Sequence, residues 1–212
     1  ATELSDDPNA SINKGELWYV KPFMLPYEIE NYIYSGQQEK ISHPIRSKEG
    51  YHIVEILEKR PNPGRVKVAH IMLAHPPSGD SLAFIQKKKK IDSLFNLLIK
   101  GENFENLATK YSDDKGTLNN KGELPWFESG IMPREFEEES YKLKQDGAFS
   151  RPVRTIHGWH IIQRISRQNV PEYKQIKEQL FNHTINSDRS KKAFDIKTER
   201  LKKEYQFKES KN

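Results

Sequence analysis

Cysteine is absent from the sequence, and so are a long apolar run and a strong excess of one charge. Without cysteine there is no disulfide framework, no thiolate nucleophile and no cysteine-containing zinc site. No stretch approaches the roughly 18 apolar residues of a membrane-spanning helix, and residues 1–7 do not form a signal peptide. The net charge of +5, from 35 basic and 30 acidic residues, is small and its signs are interspersed, so a nucleic-acid partner is not indicated.

Polar residues dominate what is present, yet the aromatic content is sufficient for a folded core. Charged residues make up 31% of the chain, but ten Phe, nine Tyr and three Trp argue against disorder throughout. A chain of 212 residues can form one large domain or two domains of about 100 residues. The first residue is not Met, so we expect the chain to be a piece of a longer protein.

An internal repeat favours two domains over one. Three pairs of segments match: residues 13–17 with 120–124, 42–46 with 150–154, and 50–53 with 158–161. The first pair is separated by 107 residues and the later pairs by one residue more, because the second copy contains one extra residue. Residues 65–111, which precede the second copy, have no counterpart before Ser5. We therefore expect one complete unit and a first unit that lacks its front half.

Hydrophobic periodicity predicts the elements of the complete unit. Val66–Leu73 is an apolar, β-rich run that predicts a strand, and residues 75–80 read as a loop. Further elements are three helices over 81–100, around 104–108 and over 133–143, and two strands over 150–155 and 159–165. This order predicts an α+β fold in which helices cover a small antiparallel sheet.

Changes in composition set the expected domain boundaries. Residues 1–61 are the C-terminal part of the first unit, and the Pro- and Gly-containing stretch 62–65 is a linker. Residues 66–168 form the complete unit, and residues 169–212 a helical C-terminal extension.

Five segments of the complete unit resemble the parvulin class of peptidyl-prolyl isomerases, in the order and spacing of that class. They are VAHIML at 68–73, YSDD at 111–114, GELPWF at 122–127, GIMPREF at 130–136 and RPVRTIHGWHII at 151–162. One departure is Pro125, where many members of the class have Gly, and it puts only the shape of that loop in doubt. The resemblance implies a parvulin fold in one complete and one N-terminally truncated copy.

The resemblance also implies a substrate cleft, with two histidines side by side beneath the bound peptide. The implied catalytic residues are His70, Asp114, Thr155 and His160. The implied substrate-binding residues, which would hold the proline ring, are Leu124, Phe127, Met132 and Phe136. We take the histidines to organise the cleft rather than to carry protons.

Isomerisation of an X-Pro amide needs little chemical machinery. The barrier of about 18–20 kcal/mol arises because rotation breaks amide resonance, and no bond to a nucleophile forms. The twisted amide is less polar than the planar one, so an apolar seat favours it. A rate gain of about 10⁴ requires only about 5.5 kcal/mol of this selectivity. No metal and no organic cofactor are implied.

Seen alone, each of these residues also has a structural interpretation. His70 and His160 are typical of hydrogen-bonded strand histidines, and Asp114 of a turn. Met132 and Phe136, four residues apart, are typical of a helix core. Thr155 is open to either interpretation.

Other features argue against competing functions. The lysine run 87–90 is typical of a solvated helix face. Residues 75–80, where phosphate-directed parvulins carry basic residues, contain no Lys or Arg, so selectivity for phosphorylated peptides is not expected. The seven histidines show no complete metal-ligand set.

The first copy differs at the implied site. It retains counterparts of two site residues, Asp7 and His52, but Leu25, Ile29 and Ser47 replace Met132, Phe136 and Thr155. The strand that carries His70 has no counterpart. We expect this copy to be inactive, with an exposed sheet edge or strand exchange between chains.

Two such units followed by a helical tail resemble the SurA-type and PrsA-type bacterial chaperone-foldases. The resemblance implies unfolded, X-Pro-containing polypeptides as partners and a periplasmic or otherwise extracytoplasmic location. The leading hypothesis is a prolyl isomerase with chaperone activity. A peptide-binding chaperone module with little turnover, and a scaffold that assembles complexes through its tail, are the alternatives.

Overall fold

The computed structural model describes residues 1–35, 41–75 and 81–205, and the chain divides into two compact units. Unit 1 comprises Ala1–Lys21 and Pro61–Val170, and unit 2 comprises Pro22–Arg60 and the residues from Pro171 onwards. The segment expected to belong to the first copy is therefore shared between the two units. The predicted boundaries at residues 61, 65 and 168 stay predictions. Of the predicted loop 75–80, only His75 lies within the described residues.

The elements follow the α+β order that the sequence predicts. The helices are α1 (Ala10–Asn13), α2 (Tyr27–Tyr34), α3 (Ser81–Ile99), α4 (Phe104–Tyr111), α5 (Arg134–Lys142), α6 (Tyr173–Ile185) and α7 (Asp188–Glu204). The strands are β1 (Ile45–Arg46), β2 (Tyr51–His52), β3 (Arg65–Ala74), β4 (Phe127–Glu128), β5 (Val153–Arg154) and β6 (Gly158–Gln168). The predicted fold class, a small antiparallel sheet with helices, is confirmed.

Unit 1 is built on an antiparallel sheet with the strand order β4-β3-β6-β5. The central pair is β3 and β6, in which His70 is opposite Ile162 and Met72 is opposite His160. Because side chains alternate between faces, His70 and His160 are diagonal neighbours on the same face of the sheet.

Helices α3 and α4 cover the other face of this sheet. Ile71 and Leu73 of β3 and Ile161 of β6 are fully buried there, where they pack with residues of both helices. The amphipathic spacing of α3 supplies Ile91, Leu94 and Leu98 to this cluster. Helix α4 begins at a side-chain cap, in which Asn103 Oδ1 accepts a hydrogen bond from the Asn106 N–H at 3.0 Å.

Helix α5 packs on the face that carries the two histidines. Phe136 lies in a second apolar cluster with Val66, Val68, Phe127 and Ile162. The helix starts immediately after Pro133, whose fixed φ favours a helix start. The sheet thus has an apolar core on both faces, and the two histidines adjoin the smaller one through Phe136.

The N-terminal segment of unit 1 contacts the end of β4 and the start of α5. Glu16 Oε1 accepts a hydrogen bond from Arg134 Nη1 at 2.8 Å, and the Arg134 guanidinium lies 4.4 Å from the centre of the Trp18 ring. Lys21 forms an ion pair with Glu128. Side chains from the beginning of the chain therefore complete the surface of the second copy.

Unit 2 combines the remainder of the first copy with the C-terminal helices. Strands β1 and β2 pair with each other, with Ile45 opposite His52. The buried carboxylate of Glu30 in α2 pairs with Arg189 of α7, and the Arg189 guanidinium lies 4.3 Å from the centre of the Phe23 ring. Among the described residues, β1 and β2 form a sheet of two strands. Strand exchange between chains stays a prediction.

Within the described ranges, no helix is both long enough and apolar enough to traverse a bilayer.

Candidate functional site

His70 of β3 and His160 of β6 form the centre of the candidate site. Their rings are nearly parallel, with planes 20° and centroids 5.4 Å apart, and their Nδ1 atoms approach to 3.3 Å. Both side chains are almost fully buried, with exposures of 5% and 3%. The diagonal pairing across β3 and β6 fixes this arrangement, since neither backbone can shift without breaking the ladder.

Asp114 binds the outer nitrogen of His70. Its Oδ2 atom lies 2.7 Å from His70 Nε2 and accepts a hydrogen bond from the Thr117 hydroxyl at 2.9 Å. Its Oδ1 atom accepts the Gly116 N–H at 3.0 Å, as expected of a turn residue. Asp114 is therefore both a turn residue and a site residue, so the two interpretations of this position are compatible.

Thr117 was not identified from the sequence. It is buried, and its hydroxyl is one of the three groups that bond to the Asp114 carboxylate, beside His70 and the Gly116 N–H. The available signal was its position three residues after an aspartate in a turn, a spacing at which side chains commonly meet. The first copy has Ala10 at this position, so it lacks the hydroxyl.

Thr155 lies at the other end of the histidine pair. Its Oγ1 atom is 2.9 Å from His160 Nε2 and accepts a hydrogen bond from the His157 N–H at 3.1 Å. Since that N–H can only donate, the Thr155 hydroxyl is free to donate to His160. The structure thus brings together all four predicted catalytic residues, and their catalytic role stays a prediction.

The hydrogen bonds run in one direction from Thr155 to Asp114. A carboxylate can only accept, so His70 donates from Nε2 and its Nδ1 becomes an acceptor. His160 therefore donates from Nδ1 and accepts the Thr155 hydroxyl at Nε2. This assignment satisfies every polar atom of the two rings with neutral imidazoles, and it fixes a different tautomer for each histidine.

The pKa values of the site agree with this assignment. Burial lowers the pKa of His70, and the hydrogen bond to Asp114 offsets this only in part. Burial, together with repulsion from His70, lowers the pKa of His160 to about 3. Burial alone would raise the pKa of Asp114, but the hydrogen bonds from His70 and Thr117 bring it below its usual value. At neutral pH both histidines are uncharged and Asp114 is ionised.

The segment before Asp114 is bound to the edge of β3. The Asp113 N–H donates to the Met72 carbonyl at 2.7 Å, and the Asp113 carboxylate accepts the Ala74 N–H at 3.0 Å. The Ser112 hydroxyl accepts the Met72 N–H at 3.1 Å. Three hydrogen bonds to the backbone of β3 therefore hold Asp114 beside His70.

A second segment is bound to β3 on the same side. The His70 N–H donates to the Gly122 carbonyl at 2.8 Å, and the Leu124 N–H donates to the Val68 carbonyl at 2.9 Å. Gly122 has a φ of +85°, and a Cβ atom there would lie 2.5 Å from the His70 carbonyl oxygen. Only glycine permits this close approach, which positions Leu124 beside the site.

An apolar wall adjoins the histidines. The Phe136 ring meets both imidazoles edge to face, with centroid distances of 5.8 Å to His70 and 5.3 Å to His160. Phe127 packs behind Phe136 at 6.1 Å, and both rings are 3% exposed. Leu124 and Met132 are half-buried and pack against this cluster. The four residues predicted to bind proline therefore lie in one cluster, and substrate binding by them stays a prediction.

Glu137 was also missed by sequence reasoning. It is fully buried in α5, and both of its carboxylate oxygens lie 3.0 Å from the Gly130 N–H. It therefore anchors the turn that carries Met132. Glu30 occupies the corresponding position in the first copy, where it accepts the Met24 N–H at 2.9 Å. This recurrence of a buried acid was a signal that the sequence contained.

Lysines of the run 87–90 contact side chains of their own unit. Lys87 lies 2.5 Å from an Asp113 carboxylate oxygen, and the Lys88 ammonium lies 5.1 Å from the centre of the Trp159 ring. Among the residues that the structure describes, no group of three or more acids and histidines is arranged to hold a metal.

The first copy reproduces part of the site. The Ser47 hydroxyl oxygen is 2.7 Å from His52 Nε2 and accepts the Glu49 N–H at 3.0 Å, as Thr155 does in the second copy. Asp7 accepts the Asn9 N–H at 2.9 Å, as Asp114 accepts that of Gly116. Asp7 lies in unit 1, whereas Ser47 and His52 lie in unit 2.

Comparisons with a family model and with curated proteins identify related proteins. The model of the rotamase family, described as the PPIC-type PPIASE domain, matches residues 1–58 and 70–166. The chain is 31% identical over 194 residues to Chaperone SurA of Methylococcus capsulatus, covering 87% of this chain and 41% of that protein. It is 30% identical over 183 residues to Chaperone SurA of Pseudomonas fluorescens, covering 84% and 41%.

Solved structures give similar matches. The peptidylprolyl isomerase PrsA of Bacillus cereus aligns with a TM-score of 0.46 and 28% identity, over 71% of this chain and 54% of that one. The chain spans 41% of the length of each of these two SurA chaperones.

Proposed function

The chain belongs to the family of PPIC-type PPIASE domains, and from this premise we propose that its second copy is a peptidyl-prolyl cis-trans isomerase. The observation that carries the proposal is the directed set of hydrogen bonds from Thr155 through the two neutral histidines to Asp114, beside the Phe136 wall. Apolar surface and fixed, uncharged hydrogen-bonding groups are what a non-covalent isomerase needs.

The proposed mechanism uses the low polarity of the cleft. A planar X-Pro amide carries more charge separation than the twisted amide, so removal from water disfavours the planar form more. The proline ring would contact Phe136 and Met132 while the preceding carbonyl rotates. No proton is transferred and no covalent bond forms, in agreement with two imidazoles that stay neutral at pH 7. Differential stabilisation of about 5.5 kcal/mol would accelerate the reaction about 10⁴-fold.

Asp114 and the histidines would act by fixing the floor of the cleft. The Asp114 side chain is 25% exposed, so its charge is partly solvated, while His70 is 6% exposed. A buried histidine that could rotate would expose either a donor or an acceptor to the substrate amide and stabilise the planar form. Because hydrogen bonds fix each ring in one tautomer, neither ring offers the substrate amide a donor or an acceptor. The planar amide therefore gains no new hydrogen bond from the histidines.

We propose unfolded or extended polypeptides that contain X-Pro bonds as substrates, and a chaperone activity towards them. Support comes from the relatives, which are named as chaperones. We further propose that the protein acts in the periplasm or otherwise outside the cytoplasm, on exported client proteins. This location rests on the resemblance to the SurA-type and PrsA-type chaperone-foldases.

A protease-coupled assay on Ala-X-Pro-Phe peptides tests the proposal. We expect acceleration by the unaltered chain, and loss of most of it in both Asp114→Ala and Met132→Ala. Leu25→Ala, at the position of the first copy that corresponds to Met132, is the matched control and should leave the rate unchanged. Full activity in both variants of the second copy would place the catalysis elsewhere.

A second candidate is a chaperone module that binds extended segments with little turnover. The observation in its favour is the exposed apolar surface of the first copy, where Tyr51, Ile53 and Leu57 are 74%, 71% and 67% exposed. Binding of a fluorescent peptide without proline separates the two candidates. A chaperone module would bind the two peptides equally well and would not accelerate isomerisation. An isomerase would accelerate isomerisation and would bind the proline peptide more tightly.

A further inference from the structure

His75 makes two hydrogen bonds to the turn that carries Thr155. Its ring Nε2 lies 2.8 Å from the Thr155 carbonyl oxygen, and its backbone N–H donates to the His157 carbonyl at 3.0 Å. A carbonyl oxygen can only accept, so His75 donates from Nε2. One residue at the end of β3 thus binds both ends of the turn between β5 and β6.

The ring of His75 is itself held by packing. It stacks on Phe84 of α3, with centroids 5.7 Å apart and planes 21° apart. Phe84 in turn lies 6.0 Å from the Trp159 ring and 4.7 Å from the Arg154 guanidinium. The orientation of the His75 ring is therefore set by α3, β5 and β6 together.

The same turn is held against β3 on its other side. Gly158 is paired with Ala74, and a Cβ atom at Gly158 would lie 2.2 Å from the Leu73 carbonyl oxygen. The Thr155 N–H donates to the Gly158 carbonyl at 2.9 Å. Because the His157 N–H holds the Thr155 hydroxyl within the turn, a small rotation of this turn would carry the hydroxyl away from His160 Nε2 and break that bond.

We propose that His75 is a positioning residue for the candidate site: it fixes the turn of Thr155 and, through the Thr155 hydroxyl, the tautomer of His160. The first copy has the corresponding turn at Ser47 but no counterpart of His75. The activity readout of this inference rests on the proposed isomerase function, whereas its spectroscopic readout does not.

Two variants separate the hydrogen bond from the packing. His75→Phe keeps an aromatic ring against Phe84 but has no donor, and His75→Gln places an amide N–H near the position of Nε2. We expect kcat/KM for a prolyl peptide to fall about tenfold in His75→Phe, the loss of one hydrogen bond, and to recover to within about threefold in His75→Gln. His43→Phe, the same substitution at a histidine of the first copy, is the control and should leave kcat/KM unchanged.

The spectroscopic readout is the ring of His160 in two-bond ¹H–¹⁵N correlation spectra. We expect a single Nδ1–H tautomer in the unaltered chain, a mixture of tautomers in His75→Phe and a single tautomer again in His75→Gln. A single tautomer and full activity in folded His75→Phe would overturn the proposal. So would a Gln variant that behaves like the Phe variant, since packing alone would then account for the effect.

The role of His75 can still be tested if the unaltered chain is inactive or if His75→Phe does not fold. If the unaltered chain does not accelerate isomerisation, the proposed function fails, but the His160 spectra still decide the role of His75. If His75→Phe does not fold, the tautomer of His75 in the unaltered chain decides instead. The Nε2–H form supports the proposal, and the Nδ1–H form overturns it, because the Thr155 carbonyl would then have no donor.

Discussion

The two copies of the repeated segment share their turns but only part of the candidate site. Lys14 and Lys121 have positive φ values of 58° and 57° at corresponding positions, and Pro26 and Pro133 have φ values of -49° and -51° before α2 and α5. Local sequence is sufficient for this local geometry. The second copy adds β3, α3 and α4, and β3 supplies the His70 ring that lies beside His160. The comparison shows that the site is a product of tertiary packing.

Burial makes the chemical difference between the copies. Ile161 beside His160 is fully buried, whereas the corresponding Ile53 beside His52 is 71% exposed. Removal from water keeps His160 uncharged and forces its hydrogen bonds to be satisfied within the protein. Exchange of corresponding residues should therefore have unequal effects.

The largest difference is expected at Phe136 and its counterpart Ile29. Phe136→Ala removes a buried ring from the wall and the core, so the free energy of unfolding should fall by about 3–5 kcal/mol, and isomerase activity should be lost. Ile29→Ala should destabilise unit 2 but leave isomerase activity intact. Urea unfolding and the peptide assay, in conditions where both variants are folded, measure the two effects. Equal loss of activity in both would break the comparison.

The next effect concerns the histidines themselves. His160→Leu leaves the Thr155 hydroxyl and His70 Nδ1 without their partner, so we expect kcat/KM to fall about 100-fold, or about 2.7 kcal/mol. His52→Leu interrupts the similar contact with Ser47 and should leave kcat/KM unchanged. Activity lost in His52→Leu would show that the first copy participates in catalysis.

The dependence of stability on pH is a smaller effect per pH unit. The unfolded chain protonates His160 near pH 6.5, but the native state binds that proton only near pH 3. Unfolding is therefore favoured as the pH falls through this window, and the free energy of unfolding should decrease by up to about 1.4 kcal/mol per pH unit below pH 6.5. His70 contributes in the same direction.

Asp114 contributes at lower pH. Because its pKa is lowered by folding, its stabilisation is present above its usual value of 3.8 and is lost as the pH falls below that value. Loss between pH 6.5 and 4.5 thus reports the histidines, and it should be less steep in His160→Leu. Unfolding in urea at successive pH values measures this, and identical slopes in the two proteins would contradict it.

The smallest effect is expected at Thr117. Thr117→Val removes the hydroxyl from Asp114 while keeping the volume, so kcat/KM should fall about threefold to tenfold, the value of one hydrogen bond. Thr109→Val on α4, whose hydroxyl bonds a helix carbonyl, is the matched control. An unchanged rate in Thr117→Val would mean that the bond from His70 alone fixes Asp114.

The sequence was sufficient for the fold and for most of the candidate site. A continuous apolar, β-rich run predicted the long strand β3, which is buried on both faces, and the helical spacing of apolar residues predicted α3, which buries one face. The short strand β4 was not predicted, since two residues show no periodicity. The resemblance to the parvulin class placed His70, Asp114, Thr155 and His160 together, which spacing alone could not do across so long a separation.

Other features could not be predicted because they depend on contacts between segments that are far apart in the chain. The two hydrogen bonds of His75 are an example, since they join the end of β3 to the turn after β5. Thr117 was missed although its spacing from Asp114 was a signal. The division of the first copy between two units follows from contacts such as Glu16 with Arg134, between segments that are far apart in the chain.

That division bears on how the chain can fold. Glu16 and Arg134 are 118 residues apart in sequence, and the ladder between β3 and β6 joins Arg65 to Gln168. During synthesis at about 5–20 residues per second, the first 21 residues therefore wait several seconds for their partners. Contacts of such high order slow folding, and the waiting segment is exposed to aggregation meanwhile. We therefore expect this protein, which we propose assists the folding of others, to complete its own fold only after its later segments have been synthesised.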